Sequence, residues 1–311
     1  MTNQIERSSF VDAVRVSDRV AAALSRGRPV VALESTIFST LGLPAPANSD
    51  ALRRCQEAVR AGGAEPAVTA ILDGVAHVGI DPEDEHRVLG GSIKVAERDL
   101  AVAIARSIPI GVTTVSAAIA LAHVAGIAVF ATGGIGGVHR GVEISGDISA
   151  DLDALAHHPV ITVCAGAKAF LDLPRTLEYL ETMGVPVLGW RHDWFPAFYV
   201  RSSGLPIPHR VDNARVVADI LRNRVRPDTG VLLTVPIPEP DELDASKLHA
   251  SLDAALAART AEGITGAAVT PFILARIEQA TDGHSIPANI ALAVNNARVA
   301  ATIAAEVAAS R

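Results

Sequence analysis

Short apolar runs alternate with longer amphipathic stretches along the whole chain. Each run is continuously apolar, which is typical of a strand that is buried on both faces of a parallel sheet. Several of the stretches between the runs carry apolar residues at helical spacing instead. The runs predicted to form strands are residues 29–34, 67–72, 127–132, 160–165, 187–190 and 231–235.

Helices are predicted between several of these strands and through most of the chain after residue 245. One helix is predicted over residues 11–26, and another over 48–61 with Asn48 as a candidate N-cap. Neither an internal repeat nor a convincing linker interrupts the alternation of strand and helix. We therefore predict a single-domain α/β/α sandwich over residues 1–311, with a largely parallel central sheet.

Composition narrows the class of protein. The 311 residues are 49% hydrophobic, and the formal net charge is −7. No basic stripe is interleaved with aromatic residues, so a nucleic-acid partner is not expected. The polar N-terminus lacks an apolar signal core and no uncharged stretch has transmembrane length, so neither export nor a membrane partner is expected. The two cysteines have no metal-ligand spacing, and free thiols in the cytoplasm are the simplest interpretation.

Lysine is rare in this chain, which contains 24 Arg and 3 Lys. A side-chain amine can lose its proton near neutral pH and attack a carbonyl carbon, whereas a guanidinium stays charged. Lys168 follows the predicted strand at 160–165 and a pair of small residues, so it is a candidate nucleophile. Lys94 opens another segment, and Lys247 lies in a polar, helix-like stretch. A composition bias that leaves a few residual lysines explains the count equally well.

The carboxyl ends of strands are where ligands bind in such folds, and three further candidate sites follow from that rule. Desolvation of Glu34 would raise its pKa towards a value useful for proton transfer, although Glu34 could equally cap a helix or pair with an arginine. Five glycines within residues 133–141 could bind a phosphate through backbone N–H groups, or form a tight turn. Asp147 and Asp151 could bind Mg²⁺ or Mn²⁺, or the segment could begin a helix with Asp147 or Ser149 as its N-cap.

Taken in order, these segments resemble the pseudouridine-5′-phosphate glycosidase family over nearly the whole chain. The motifs are VALESTI at 31–37, FATGGIGGVHRG at 130–141, DISADL at 147–152, CAGAK at 164–168, LEYLET at 177–182, FPAF at 195–198, PIPE at 236–239, TPF at 270–272 and NNA at 295–297. The resemblance implies an α/β/α enzyme that reversibly cleaves the C–C glycosidic bond of pseudouridine 5′-phosphate to ribose 5-phosphate and uracil. It also implies a homotrimer with one divalent cation, usually Mn²⁺, per subunit.

The resemblance further implies a role for each residue of the site. Lys168 would be the nucleophile that forms a Schiff base with ring-opened ribose, Glu34 the acid/base, and Asp147 the metal ligand. A covalent amine route suits this bond, because a carbon leaving group is harder to release than the oxygen or nitrogen of ordinary glycosides. The implied substrate contacts are Lys94, Val112, Thr113, Thr114, Thr132, Gly133, Gly134, Ser149, Ala150, Asp151 and Asn289.

Two departures from the family pattern concern the aglycone. Many members have a His-Gly pair after Glu-Ser-Thr, whereas residues 39–44 here read STLGLP with an apparent one-residue insertion, and Pro287 stands where lysine is common. A second hypothesis is therefore a C-glycosynthase that attaches ribose 5-phosphate to an aromatic acceptor in natural-product formation. A third, a catalytically silent binding protein, is disfavoured because Glu34, Lys168 and Asp147 occur together.

Overall fold

The apolar runs of the sequence form the strands of one sheet in the computed structural model, which describes residues 8–264, 266 and 269–310. The prediction of a single domain over residues 1–311 therefore extends beyond the described residues at both ends. The strands are β1 (Val14–Val16), β2 (Val30–Leu33), β3 (Glu65–Leu72), β4 (Val75–Val78), β5 (Lys94–Val95), β6 (Ile110–Thr113), β7 (Val129–Ala131), β8 (Ile161–Cys164), β9 (Val187–Trp190), β10 (His209–Val211) and β11 (Val231–Thr234).

The sheet is largely parallel, as predicted. Its strand order is β1-β4-β3-β2-β7-β8-β11-β9-β10, and β6 joins β3 to the short strand β5. Within the described residues, the antiparallel pairings are those of β3 with β4 and with β6. Every residue of β2 and of β8 is buried, which is expected of central strands covered by helices on both faces. The predicted α/β class is confirmed.

Helices lie in most of the connections between the strands. Their bounds are α1 (Ser8–Asp12), α2 (Asp18–Ser25), α3 (Ala47–Ala61), α4 (Glu85–Leu89), α5 (Leu100–Ala105), α6 (Val115–Val124), α7 (Val142–Ser145), α8 (Ala150–His157), α9 (Leu173–Met183), α10 (Ala214–Asn223), α11 (Ala245–Ala261), α12 (Val269–Ala280) and α13 (Ser285–Ala309). Short 3₁₀ helices lie at Glu97–Asp99 and Glu239–Asp241.

Two groups of helices cover the strands that carry the site. Helix α13 packs on β2, β7 and β8 beside α3 and α10, whereas α6 packs on β2 and β7 beside α8. Among the described helices, α13 is the one that is long and apolar enough to cross a membrane by length and composition. Its packing against three central strands accounts for that composition, because a helix buried in a globular core is apolar around most of its surface.

The helix predicted over residues 11–26 is wrong in its first half and confirmed in its second, where α2 spans Asp18–Ser25. Strand β1 (Val14–Val16) separates α1 from α2 and pairs in parallel with β4. Its apolar, charged, apolar sequence has the alternation of an edge strand as well as part of a helical pattern. Pairing with β4 supplies backbone hydrogen bonds along the whole segment, and this tertiary contact outweighs the local helical preference.

The two predicted helix caps have different outcomes. Asn48 does not cap α3, because its buried amide donates hydrogen bonds to Phe38 O at 3.2 Å and to Leu89 O at 3.3 Å. The side chain therefore ties two loops together instead of ending a helix. Ser149 does cap α8, since its hydroxyl accepts the backbone N–H of Asp151 at 3.3 Å. The helix-start alternative for this motif is confirmed through Ser149.

Candidate active site

A cavity of about 650 Å³ opens where the segments that follow β2, β6, β7 and β8 meet. These segments are far apart in the sequence. The parallel direction of β2, β7 and β8 brings the segments after these strands to one edge of the sheet. Strand β6 is antiparallel to β3, and its end meets the segment after β2, where Thr36 N donates to Thr113 O at 3.1 Å. Of the predicted site residues, those that line the cavity are Glu34, Lys94, Thr114, Asp147, Ser149, Ala150, Asp151 and Lys168.

Glu34 directly follows β2 and is 7% exposed. The hydroxyl of Thr132, which follows the neighbouring strand β7, donates a hydrogen bond to Glu34 Oε1. Burial raises the pKa of Glu34 from 4.5 to about 7, while Lys168, the Thr132 hydrogen bond and Lys94 act in the opposite direction. The carboxyl is therefore present in both protonation states near neutral pH, as a group that gives and takes a proton must be.

Lys168 lies at the end of the segment that follows β8, on the wall of the same cavity. Its backbone N–H donates to Ile135 O at 3.1 Å, and Gly166 O accepts the backbone N–H of Ile135 at 3.1 Å. Gly166 has a φ of +78°, and a Cβ there would lie 2.0 Å from Pro196 O. Only glycine fits, so the backbone before Lys168 is held in one shape.

Lys94 brings a second amine to the cavity from β5, where it is paired with Val112 of β6. Its side chain is exposed and forms part of the cavity wall. Loss of hydration lowers the pKa of Lys94, the positive charge of Lys168 lowers it further, and the charges of Asp151 and Glu34 oppose the shift. The four charged groups thus influence one another across one cavity.

Asp151 holds two elements of the cavity wall together. Its buried carboxylate accepts the backbone N–H of Ser116 at 3.0 Å and that of Gly136 at 2.8 Å. Ser116 lies in the first turn of α6, so the carboxylate satisfies a helix N-terminal N–H that has no partner within the helix. This arrangement fixes the glycine run against α6, whatever else Asp151 contacts.

The glycine run forms a tightly packed turn, and several of its backbone N–H groups are already bonded within the protein. The N–H groups of Ile135, Gly136, Val138 and His139 all donate to other groups of the protein. A Cβ on Gly134 would lie 2.5 Å from the Phe198 ring, so the run also allows close packing. These contacts favour the alternative of a structural turn over that of a general phosphate cradle.

Some predicted substrate contacts lie behind the cavity wall. Thr113 is fully buried, and its hydroxyl donates to Thr69 O at 2.8 Å and also bonds Ser35. The structure thus gives Thr113 contacts within the protein, and its role in substrate binding stays a prediction. The predicted contacts that do not line the cavity are Val112, Thr113, Thr132, Gly133, Gly134 and Asn289.

Asp147 is the predicted metal ligand, and its partly exposed carboxylate lies on the cavity wall. Its Oδ2 is 3.7 Å from His139 Nδ1. Across residues 8–264, 266 and 269–310, no group of three or more His, Cys, Asp or Glu could hold a metal ion. A cation that keeps most of its water ligands and binds through a single carboxylate fits this donor set, as Mg²⁺ and Mn²⁺ do, whereas a four-ligand zinc site does not.

Several cavity residues were not predicted. His139 lies within the glycine run of residues 133–141, and that position was a signal that could have identified it. Burial lowers the pKa of His139, while the charge of Asp147 acts in the opposite direction. Phe170 and Leu171 come shortly after Lys168, so their positions could also have been predicted. Others, such as Leu41 and the 3₁₀ helix that carries Arg98 and Asp99, are connected to the motifs by no sequence spacing. The cavity residues missed include Thr36, Leu41, Ser92, Ile93, Ala96, Arg98, Asp99, Val115, Ser116, His139, Ile148, Phe170, Leu171 and Gly266.

A carboxyl that titrates near neutral pH and an amine share a cavity at the carboxyl edge of a parallel sheet, which is the arrangement of an α/β enzyme. The sequence pattern of the family described as "Indigoidine synthase A like protein" matches residues 19–306. This match spans most of the chain, so the chain belongs to that family.

Relatives in this family carry the name predicted from the motifs. The pseudouridine-5′-phosphate glycosidase of Methylobacterium nodulans is 52% identical over 290 residues, which cover 92% of this chain and 85% of the relative. The protein of the same name from Caldanaerobacter subterraneus subsp. tengcongensis is 48% identical over 302 residues, covering 96% of each chain. The resemblance stated from the sequence is thereby confirmed.

Solved structures support the same fold. The prealnumycin C-glycosynthase AlnA, crystallised with ribulose 5-phosphate, is 39% identical and has a TM-score of 0.88, over 96% of this chain and 97% of that one. An indigoidine synthase A-like protein from Thermotoga maritima is 31% identical and has a TM-score of 0.85, over 95% and 96% of the two chains. The fold is therefore shared along nearly the full length of both relatives.

Proposed function

We propose that the chain reversibly cleaves the C–C glycosidic bond of pseudouridine 5′-phosphate to give ribose 5-phosphate and uracil. Relatives named for this activity share about half of its sequence over more than nine tenths of its length. Within the structure, the observation that supports the proposal most is the presence of Glu34 and Lys168 in one cavity. A covalent amine intermediate makes a carbon leaving group easier to release, because the nitrogen lone pair can form an iminium as the C–C bond breaks.

In the first step, the neutral amine of Lys168 forms a bond to C1′ of the ribose. The bond between C1′ and the ring oxygen breaks, and Glu34 gives that oxygen its proton. The new ammonium then loses a proton to the Glu34 carboxylate, which leaves an open-chain sugar bound to both Nζ and C5 of uracil. A pKa of about 7 allows Glu34 to act as acid and then as base without a change of pH.

In the second step, Glu34 protonates C5 of uracil while the bond between C1′ and C5 breaks. The electrons of that bond stay with uracil, and the nitrogen lone pair of Lys168 forms the C1′=N bond of an iminium. Water hydrolyses the iminium to ribose 5-phosphate, and the proton left on Lys168 returns to Glu34. Lys94, Thr114 and the 149–151 turn border the cavity and would hold the substrate during both steps.

The proposal includes one divalent cation, Mn²⁺, bound through Asp147 and waters. A cation at this position would balance the charge of the sugar phosphate and order its oxygen atoms. His139 Nδ1 lies 3.7 Å from Asp147 Oδ2, and the histidine would orient the carboxylate when its ring carries a proton on Nδ1. We further propose that the chain acts in the cytoplasm as a homotrimer, on the strength of the family resemblance.

Borohydride trapping tests the nucleophile. Incubation with ribose 5-phosphate and borohydride should add one reduced sugar phosphate to Lys168, located by peptide mass spectrometry, and uracil release from pseudouridine 5′-phosphate should be measured in parallel. Lys168→Arg keeps the charge beside Glu34 but removes the nucleophile, so we expect loss of both trapping and turnover. Lys247→Arg changes an exposed lysine of α11 and should leave both unchanged. Trapping that persists in the Lys168→Arg variant would refute the assignment.

A second candidate function is C-glycosynthesis, in which ribose 5-phosphate is joined to an aromatic acceptor. The observation in its favour is Leu41, an apolar residue on the cavity wall in the loop where many family members carry a His-Gly pair. The hydroxyl of Thr40 fixes this loop by donating to Gly91 O at 2.8 Å. Trapping at Lys168 without uracil release would favour this candidate, whereas rapid uracil release would favour the glycosidase.

A further inference from the structure

A buried amide of α13 lies directly behind the catalytic carboxyl. Asn296 is fully buried, and its Nδ2 donates to Thr132 O at 2.8 Å and to Gly133 O at 3.2 Å. Its Oδ1 is a buried atom that has no hydrogen-bond partner among the described residues. The reverse orientation would bring Oδ1 against two carbonyl oxygens, so the contacts fix which end of the amide faces the glycine run.

Thr132 connects this amide to Glu34. Its backbone N–H donates to Val163 O at 3.0 Å, its carbonyl accepts from Asn296, and its hydroxyl donates to Glu34 Oε1. Three hydrogen bonds therefore hold one residue, and two of them fix the peptide groups from which the hydroxyl projects. The adjoining carbonyl of Gly133 is fixed as well, since it also accepts from Ala165 N at 2.9 Å.

A buried polar side chain with an unpaired oxygen costs free energy that an apolar residue at the same place would avoid. The nearest neighbours of Asn296 on this face of α13, Leu292, Ala293 and Ala300, are apolar and buried, and the buried amide of Asn289 lies two turns earlier. A helix that only needed to pack on β7 would be served by the same alanine and leucine side chains. The N–H bonds to the segment after β7 are what Asn296 adds to that packing.

We propose that Asn296 is a positioning residue that acts on Glu34 through Thr132. It holds the backbone of Thr132 so that the threonine hydroxyl points at the carboxyl that transfers the proton. This inference rests on the proposed function of Glu34, and it adds a residue to which neither the motifs nor the family resemblance assigned a role. The groups that act on Glu34 are Thr132, Lys168, Asp151 and Lys94, and none of them is on α13.

The test compares Asn296→Leu, Thr132→Val and the double variant by the pH dependence of uracil release. Thr132→Val removes a hydrogen bond that stabilises the charged carboxylate of Glu34. The part of the pH profile of uracil release that Glu34 ionisation sets should therefore move to higher pH. Asn296→Leu should move it in the same direction and lower kcat about tenfold with little change in KM. The double variant should show no larger shift than Thr132→Val alone, because both changes act through one hydrogen bond.

Asn295→Leu is the matched control, since this neighbouring amide donates to Pro236 O at 3.4 Å and lies away from Thr132. Its profile should match the parent. Asn296→Ala, which removes the same donor, replaces Asn296→Leu if the latter does not fold, and the same shift is expected. A profile that keeps its position in the Asn296 variant, or shifts that add in the double variant, would overturn the inference.

A second readout separates this inference from the proposed reaction. Infrared difference spectra of the parent against Glu34→Gln report the protonation of the Glu34 carboxyl without any substrate. If uracil is never released but the Glu34 band titrates at higher pH in Asn296→Leu, the positioning role holds and the reaction assignment fails. If uracil is released and the band does not move, the reaction holds and the positioning role fails.

Discussion

At the scale of single residues, Glu34 shows how the proposed catalytic use of a group and the stability of the fold oppose each other. Its carboxyl is 7% exposed at the end of a buried strand, and this desolvation raises the pKa to about 7. The same desolvation makes the charged form costly in the folded state. Active sites commonly keep such groups because the reaction needs them, although a neutral side chain would be more stable.

Glu34→Gln should therefore stabilise the protein at alkaline pH while it abolishes turnover. The folded-state pKa of about 7 lies above the ordinary 4.5. The stability that the protein owes to a neutral Glu34 is therefore fully present below pH 4.5 and is lost as the pH rises through 7. Glutamine does not titrate, so the variant should be more stable than the parent by about 3 kcal/mol at pH 8. Urea unfolding between pH 4 and pH 8 measures the difference.

The control for this comparison is Glu83→Gln, at an exposed position away from the cavity. Its stability difference from the parent should stay within about 0.5 kcal/mol over the same pH range. A Glu34→Gln variant that is no more stable than the parent at pH 8 would mean that the folded protein does not penalise the Glu34 charge.

The charged residues of the site could be predicted from the sequence more readily than the other residues that line the cavity. Glu34 and Lys168 each follow an apolar run, and parallel strands bring such positions to one edge. Leu41 and Arg98 could not be predicted in the same way, because a loop carries Leu41 and a short 3₁₀ helix carries Arg98, and the positions of both depend on tertiary contacts. The buried position of Thr113 could not be predicted either, since its hydroxyl joins Ser35, which follows β2, to Thr69 in the middle of β3.

At the scale of elements, the site depends on contacts between α8, α6 and the turn after β7. The carboxylate of Asp151 bonds Ser116 N and Gly136 N, and the hydroxyl of Ser149 caps the same first turn of α8. The turn must approach α8 closely for these bonds to form. A Cβ on Gly136 would lie 2.2 Å from Ser149 Oγ and 2.9 Å from Asp151 Oδ2, so glycine is required there.

Gly136→Ala should separate the turn from α8 and disturb the cavity. The added methyl forces Ser149 and Asp151 to move, and overpacking of this kind costs about 1–3 kcal/mol. We expect a lower midpoint in thermal unfolding and a loss of uracil release that exceeds the loss of folded protein. The residues displaced border the cavity, so KM for the substrate should rise as well.

Gly90→Ala is the matched control, because a Cβ there meets nothing closer than 3.6 Å and the residue has an ordinary φ of −85°. Its stability and activity should be close to those of the parent. Equal effects of the two alanine substitutions would show that the close approach at Gly136 is not what the site requires.

The elements that the sequence predicted well are those whose local pattern and tertiary environment agree. Strands β2 and β8 are continuously apolar and fully buried, so pattern and burial coincide. The strand β5 has two residues, too few to carry a periodic pattern, although it brings Lys94 to the cavity. The edge strand β1 was predicted as helix because its short alternation fits both periods.

At the scale of the whole molecule, the cavity links the stability of the fold to the ligands it binds. Its walls come from β5 and from the segments after β2, β6, β7 and β8, together with the first turn of α8. A ligand that contacts all of these segments binds the folded chain and not the unfolded one. Its binding free energy therefore adds to the free energy of unfolding of the entire sheet.

Ribose 5-phosphate and Mn²⁺ should each raise the midpoint of thermal unfolding. A ligand at 100 times its dissociation constant stabilises the folded state by about 2.7 kcal/mol, which corresponds to a rise on the order of 5 °C for a chain of this size. Asp147→Asn should lose the Mn²⁺ increment and keep most of the sugar-phosphate increment, because Asp147 is the carboxylate proposed to hold the cation. Asp153→Asn, at an exposed position of α8 that does not line the cavity, should keep both. An equal Mn²⁺ increment in parent and Asp147→Asn would place the cation elsewhere, and the single-carboxylate site would have to be abandoned.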